Sequence, residues 1–144
     1  MVPDESMAYA IATWARFNAS VPDDLLRALS AAFALVAAAD GEIAKSEAEE
    51  FVQLLRGRAD VFSGIDFNAL EGAFRDLTDS LIADPDRGRL RACECIALVK
   101  GDADKCELVR SGAAIALAAD GRALASEEVV MQEICAALGL DPPA

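Results

Sequence analysis

Large apolar residues recur along this chain at steps of three and four, the spacing that lines one face of an α-helix. Met7, Ile11, Trp14 and Phe17 mark the first such face, over residues 4–18, with Asp4 placed to open the helix and Asn18-Ala19-Ser20-Val21 to close it. A second helix is predicted from about Pro22, capped by Ser20 or Val21. It turns Leu25, Leu29, Phe33 and Val36 inward and ends at Asp40-Gly41. Its last turns are almost wholly alanine, and side chains this small let helices approach closely, which predicts a central position. Ser46-Glu47-Ala48-Glu49 reads as a capping box opening a third helix that buries Phe51, Leu54 and Leu55 and stops at Gly57.

Asp66 caps a fourth helix, in which Phe67, Leu70, Phe74, Leu77 and Leu81 keep a 3.6-residue period until Asp84-Pro85. A fifth, about 86–99, ends at Lys100-Gly101; Asp102 caps a sixth that runs to Asp120-Gly121, and Ser126 caps a seventh that runs to Leu138-Gly139. The tail Asp141-Pro142-Pro143-Ala144 cannot continue a helix. Valine and isoleucine nowhere alternate with polar residues over a useful stretch, so no strand is expected. The expected fold class is all-α: about seven helices in one bundle, a single domain over residues 1–144 with its core at about 25–140.

Charge narrows the partners. With 25 acidic against 13 basic residues and a net charge of −12, the average surface repels phosphate backbones and anionic headgroups. Nucleic acid is excluded as an expected partner. The longest apolar run, Ala31 to Ala39, falls well short of the ~20 residues that cross a bilayer, so no membrane insertion is expected. Met1-Val2-Pro3-Asp4-Glu5 carries neither the basic nor the apolar stretch of a secretory signal, which points to the cytoplasm. Cys93, Cys95, Cys106 and Cys135 fall inside helical patterns and read as buried free thiols; on a helix Cys93 and Cys95 point about 200° apart, which argues against a shared thiol site. The chain contains no histidine, which removes Ser-His, Cys-His and imidazole acid–base systems and argues against an enzyme.

The most informative feature is an internal repeat. Residues 31–47, AAFALVAAADGEIAKSE, align without a gap to residues 111–127, SGAAIALAADGRALASE. Asp40/Asp120, Gly41/Gly121, Ser46/Ser126 and Glu47/Glu127 are identical, while Glu42, Glu49 and Glu50 correspond to Arg122, Val129 and Val130. Both copies read helix, Asp-Gly turn, Ser, Glu, helix.

The last carbonyls of a helix lack intrahelical partners, so an Asp-Gly turn at a helix end offers a carboxylate beside free backbone oxygens. Hard cations take that ligand set. Glu47 and Glu127 sit seven residues beyond their Asp, in the first turn of the next helix, where a tight reversal could bring both carboxylates to one ion. Asp40, Glu47, Asp120 and Glu127 are therefore the candidate metal ligands, and Ca²⁺ or Mg²⁺ the candidate ion, because oxygen is the only ligand type on offer. Asp40 to Glu47 has the spacing of the second half of an EF-hand loop; Val36 and Ala38, and in the other copy Ala116 and Ala118, stand where the first half needs acids, so this is not an EF-hand. The competing account makes Gly41 and Gly121 helix C-caps, Ser46 and Ser126 N-caps, and Glu47 and Glu127 acids favoured by the helix dipole.

The two copies of A-A-D-G-x-x-x-x-S-E, the intervening LVKGDADKCELVRSGAAIALAADG and the closing ICAALGLDP resemble the tellurite-resistance TerB family, over about residues 25–142. The resemblance implies an all-helical fold with a pseudo-duplicated core and a non-enzymatic role in resistance to tellurite and related stress. It also implies a cation site, which here would be Asp40, Glu47, Asp120 and Glu127, and protein partners in a membrane-bound resistance complex, to which a cytoplasmic chain would attach at the inner membrane without entering lipid. The second copy departs from the first where Arg122 and Ala123 replace Glu42 and Ile43, which puts a positive charge beside that turn. Tellurite is an oxyanion that acidic turns repel, so direct detoxification does not follow from the name. The alternative is an acidic protein-interaction scaffold whose Asp-Gly turns are purely structural. Ion identity, one site or two, and oligomeric state stay open at this level.

Overall fold

The computed structural model describes residues 22–38, 45–57, 66–120 and 124–139; the side chains of Glu47, Leu54, Leu55, Ile115 and of residues 117–120 and 124–128 lie outside that description. The helix predicted over residues 4–18 also falls outside it, as do Asp40, Gly41 and Gly121. Among the described residues the chain forms six α-helices and no strand: α1 (Asp23–Ala37), α2 (Lys45–Arg56), α3 (Phe67–Ala83), α4 (Pro85–Ile96), α5 (Ala103–Asp120) and α6 (Leu124–Leu138), with a 3₁₀ turn, Ala97–Val99, between α4 and α5.

Helix starts and stops follow local chemistry. Asp66 accepts hydrogen bonds from the Asn68 and Ala69 amides at the head of α3, and Asp84 accepts from Arg87 N at the head of α4, where Pro85 occupies the first turn. Asp102 accepts from Lys105 N at 3.2 Å to open α5. Gly101 and Gly139 adopt φ of +98° and +75°, the left-handed conformation that ends the 3₁₀ turn and α6 where a Cβ would be strained.

Four boundaries differ from expectation. Pro22, with no side-chain bond, stands at the N-cap of α1. That helix ends earlier than Asp40-Gly41: Ala38 is its C-cap, with its amide bonded to Ala34 O and Val36 O. Helices α2 and α6 begin at Lys45 and Leu124, which places Ser46 and Ser126 inside the first turn rather than at the cap. Glu49, the acid of the expected capping box, is instead drawn across to Arg75 on α3.

Helix α1 is the centre of the bundle. Apart from Arg27, every residue from Leu25 to Ala38 is buried, so the helix is apolar all round and packs against each of the other five helices. Its alanines leave room for α3, α4 and α5 to close on it. Phe33 of α1, Phe51 of α2 and Phe74 of α3 meet there: ring centroids of Phe33 and Phe51 lie 6.4 Å apart and tilted, those of Phe51 and Phe74 5.6 Å apart and stacked. The buried hydroxyls inside this core are satisfied locally, Ser30 donating to Leu26 O at 2.8 Å, Thr78 to Arg75 O at 3.1 Å and Ser111 to Glu107 O at 2.8 Å. Phe67, expected in the core, is only half-buried at the first turn of α3.

A ladder of charges ties α2 to α3. Arg56 donates to Glu71, at 2.6 Å from Nη2 to Oε1; Glu71 also accepts from Arg75 Nε at 3.0 Å, and Arg75 reaches on to Glu49. The arginine hydrogen bonds hold the Glu49 and Glu71 carboxyls below the usual range. Because those carboxyls are lowered in the folded state, their contribution is present above the ordinary glutamate pKa of about 4.3 and is lost as pH falls through the folded values. Thermal melts from pH 7 to pH 3 should therefore fall less steeply for Arg75→Met than for the native chain. Parallel curves would show that the ladder adds nothing to acid sensitivity.

Candidate metal centre

The four candidate ligands divide as follows. Glu47 is the third residue of α2, Asp120 is the last residue of α5 and Glu127 is the fourth residue of α6, whereas Asp40 lies outside the described residues. The side chains of Glu47, Asp120 and Glu127 likewise lie outside the described residues. Among the described residues no three acidic, cysteine or histidine side chains gather as a metal-holding group.

What is on view is the frame that carries them. Lys105, in the first turn of α5, places its Nζ 2.9 Å from Asp24 Oδ2, in the first turn of α1. The mutual hydrogen bond lowers the Asp24 carboxyl and raises the Lys105 ammonium. Helices α1 and α5, which pack on one another, are thus joined at their first turns by that ion pair. The helix that follows each Asp-Gly segment in the sequence touches the one before it, α2 against α1 and α6 against α5.

The likeness of the two copies stops beyond the Ser-Glu. In α2, Ala48, Phe51 and Val52 are buried and Glu50 is exposed; in α6, eighty residues on, Val130 is fully buried while Val129 and Gln132 are exposed. The two helices turn different faces to the core, which accounts for Val130 standing where the first copy has the exposed Glu50.

The end of α1 is not bare. Arg89, in the second turn of α4, donates from Nη2 to Ala38 O at 3.0 Å and from Nη1 to Glu133 Oε1 of α6 at 2.7 Å. Both side chains are 25% exposed, so this pair is sheltered from bulk water. One of the carbonyls expected to be free for a cation therefore already holds a guanidinium, two residues before Asp40. Sequence reasoning missed this contact. The only signal was Arg87-x-Arg89-x-Arg91, three basic residues in five within an acidic chain, and nothing local revealed partners 51 and 44 positions away.

The thiols are quiet. Cys106 and Cys135 are buried as expected, but Cys93 and Cys95 are half-buried and all four are unpaired to one another. Burial pushes the Cys93, Cys95 and Cys135 thiols up, and the neighbouring Glu133 adds to this at Cys93, so they stay protonated and poorly nucleophilic at neutral pH. Among the described residues no helix is long and apolar enough to cross a membrane.

No curated protein and no solved structure matches the chain. A family model described as tellurite resistance protein TerB matches residues 26–144.

Proposed function

Because the chain belongs to the tellurite-resistance TerB family, we propose that it works without catalysis, binding a divalent cation, Ca²⁺ or Mg²⁺, through Asp40, Glu47, Asp120 and Glu127 and docking on a partner complex. The observation that carries this reading is the repeat, its copies 80 residues apart, in which Asp, Gly, Ser and Glu persist while Glu42, Glu49 and Glu50 do not. Helix ends carry negative partial charge on their last carbonyls, and an adjacent carboxylate turns that into a cation ligand set. In this reading the docking occurs in the cytoplasm, with partners in the membrane and this chain outside the lipid.

A scaffold function is the second reading, and one observation favours it: Arg89 already satisfies Ala38 O, so the end of α1 is stable without a metal. Calcium distinguishes the two. If the ion binds, unfolding should become harder by about 2.7 kcal/mol once free Ca²⁺ is a hundredfold above its Kd. The measurement is a calcium series of thermal or urea melts on chelator-treated protein, repeated with Mg²⁺. Asp40→Ala combined with Glu47→Ala should abolish the shift while far-ultraviolet ellipticity is retained. A native chain whose melting point ignores both ions would leave the scaffold reading standing, and a shift that survives the double substitution would reassign the ligands.

A further inference from the structure

The outward side of α4 carries apolar surface left open to solvent. Gly88, Ala92 and Ile96 turn inward, while Leu90 on the opposite side and Leu98 in the following 3₁₀ turn stay 63% and 52% exposed, with Ala97 exposed beside them. Isolated surface leucines are ordinary. What sets these apart is the charge around them. In a chain of 25 acidic and 13 basic residues, α4 holds three arginines against two acids, Asp86 and Glu94. Arg89 and Arg91 turn sideways and pair with Glu133 and Asp76. Arg87 and Glu94 stay exposed, and neither forms an ion pair among the described residues.

Seven residues make two helical turns, so Arg87 and Glu94 lie on one line about 10 Å apart, with Leu90 between them. A wholly acidic partner would suit Arg87 and be repelled by Glu94; a wholly basic one would do the reverse. Both are satisfied by a helix face carrying the two charges in opposite order around an apolar centre, and α4 of a second copy, turned antiparallel, is such a face. A twofold axis beside Leu90 then sets Arg87 of each copy against Glu94 of the other and brings the two Leu90 side chains together. A parallel meeting would instead oppose like charges, so the direction is specified as well. The average surface of a chain of charge −12 repels a second copy, and α4 is the local exception.

We propose that this chain associates with itself through the outward face of α4, as an antiparallel pair centred on Leu90 and flanked by two Arg87–Glu94 ion pairs. One helix face per copy falls below the roughly 1,200 Å² of standard interfaces, so the dimer is weak, with a Kd on the order of 10⁻⁴ M. The association uses no residue of the Asp-Gly segments and is independent of the cation reading.

The test is sedimentation velocity from about 10 µM to about 1 mM, spanning that Kd, in chelator so that no metal bridge contributes. The native chain should move toward twice its monomer mass across this range. Arg87→Glu puts an acid in the first turn of α4 and Glu94→Arg a base in its last turn; both suit the helix dipole, so both should fold. Each alone opposes like charges and should weaken the dimer by about 10-fold or more, as should Leu90→Asp. Mixing Arg87→Glu with Glu94→Arg restores opposite charges at both ends and should bring the native mass back, as should both substitutions in one chain. A misfolded variant would give no such recovery. A native chain that stays monomeric at the highest concentration, a dimer that tolerates Leu90→Asp, or single variants that fail to recover on mixing would each overturn the proposal.

Discussion

Phe74→Ala is expected to lower the unfolding free energy by about 3–5 kcal/mol, a large share of the roughly 5–15 kcal/mol that a domain commonly has. Phe74 is fully buried and stacks on Phe51, which in turn meets Phe33, so one ring links α3 to α2 and through it to the central α1. Truncation removes the stacking partner of Phe51 and leaves a cavity at a fully buried position. Phe74→Leu keeps most of the volume and should cost less, about 1–1.5 kcal/mol. Urea melts followed at 222 nm would read both. A loss below about 1 kcal/mol for Phe74→Ala would contradict the aromatic junction described above.

Gly88→Ala should destabilise the chain by about 1–3 kcal/mol even though alanine is the better helix former. The new methyl would meet Leu81 Cα at 2.6 Å, Leu81 N at 2.7 Å and Leu81 Cδ2 at 2.9 Å, and two of these are backbone atoms that cannot rotate away. Helices α3 and α4 would have to separate, and Arg89 would lose its reach to Ala38. Gly72→Ala supplies the opposite sign as a control, because that glycine is exposed in α3 with nothing within 4 Å of an added Cβ. Intrinsic propensity then acts alone and should stabilise by about 0.5–1 kcal/mol. If both substitutions raised the melting point, the close approach of α3 and α4 at Gly88 would be refuted.

These two glycines illustrate what could and could not be read from the chain. Nothing in the local sequence distinguishes Gly72 in LEGAF from Gly88 in DRGRL; both interrupt helical patterns and both would be marked as weak points. Their meaning comes from what lies opposite, which for Gly88 is the backbone of Leu81. The caps behave differently. Asp66, Asp84 and Asp102 bond amides two or three residues away, so a window of four residues contains the whole interaction. Ser46 and Glu49 do not form a capping box: α2 already begins at Lys45, and Glu49 pairs with Arg75, 26 positions along the chain.

The candidate site follows the same division. Its four carboxylates were legible as a repeated spacing, and so was the arginine that follows the second turn, Arg122. The arginine at the end of α1 was not, because Arg89 arrives there through the packing of α4 between α1 and α6.

Hydrophobic periodicity and short-range capping by themselves determined that this chain is helical, where most of its helices begin and end, and that the alanine-rich segment is central, because those properties arise from interactions within a few residues. Only the tertiary structure decided which helices start together, which glycine lies against a neighbouring backbone and which charge occupies the end of α1. Each of those depends on atoms brought together from distant positions, and no local pattern encodes which distant partner a side chain will meet.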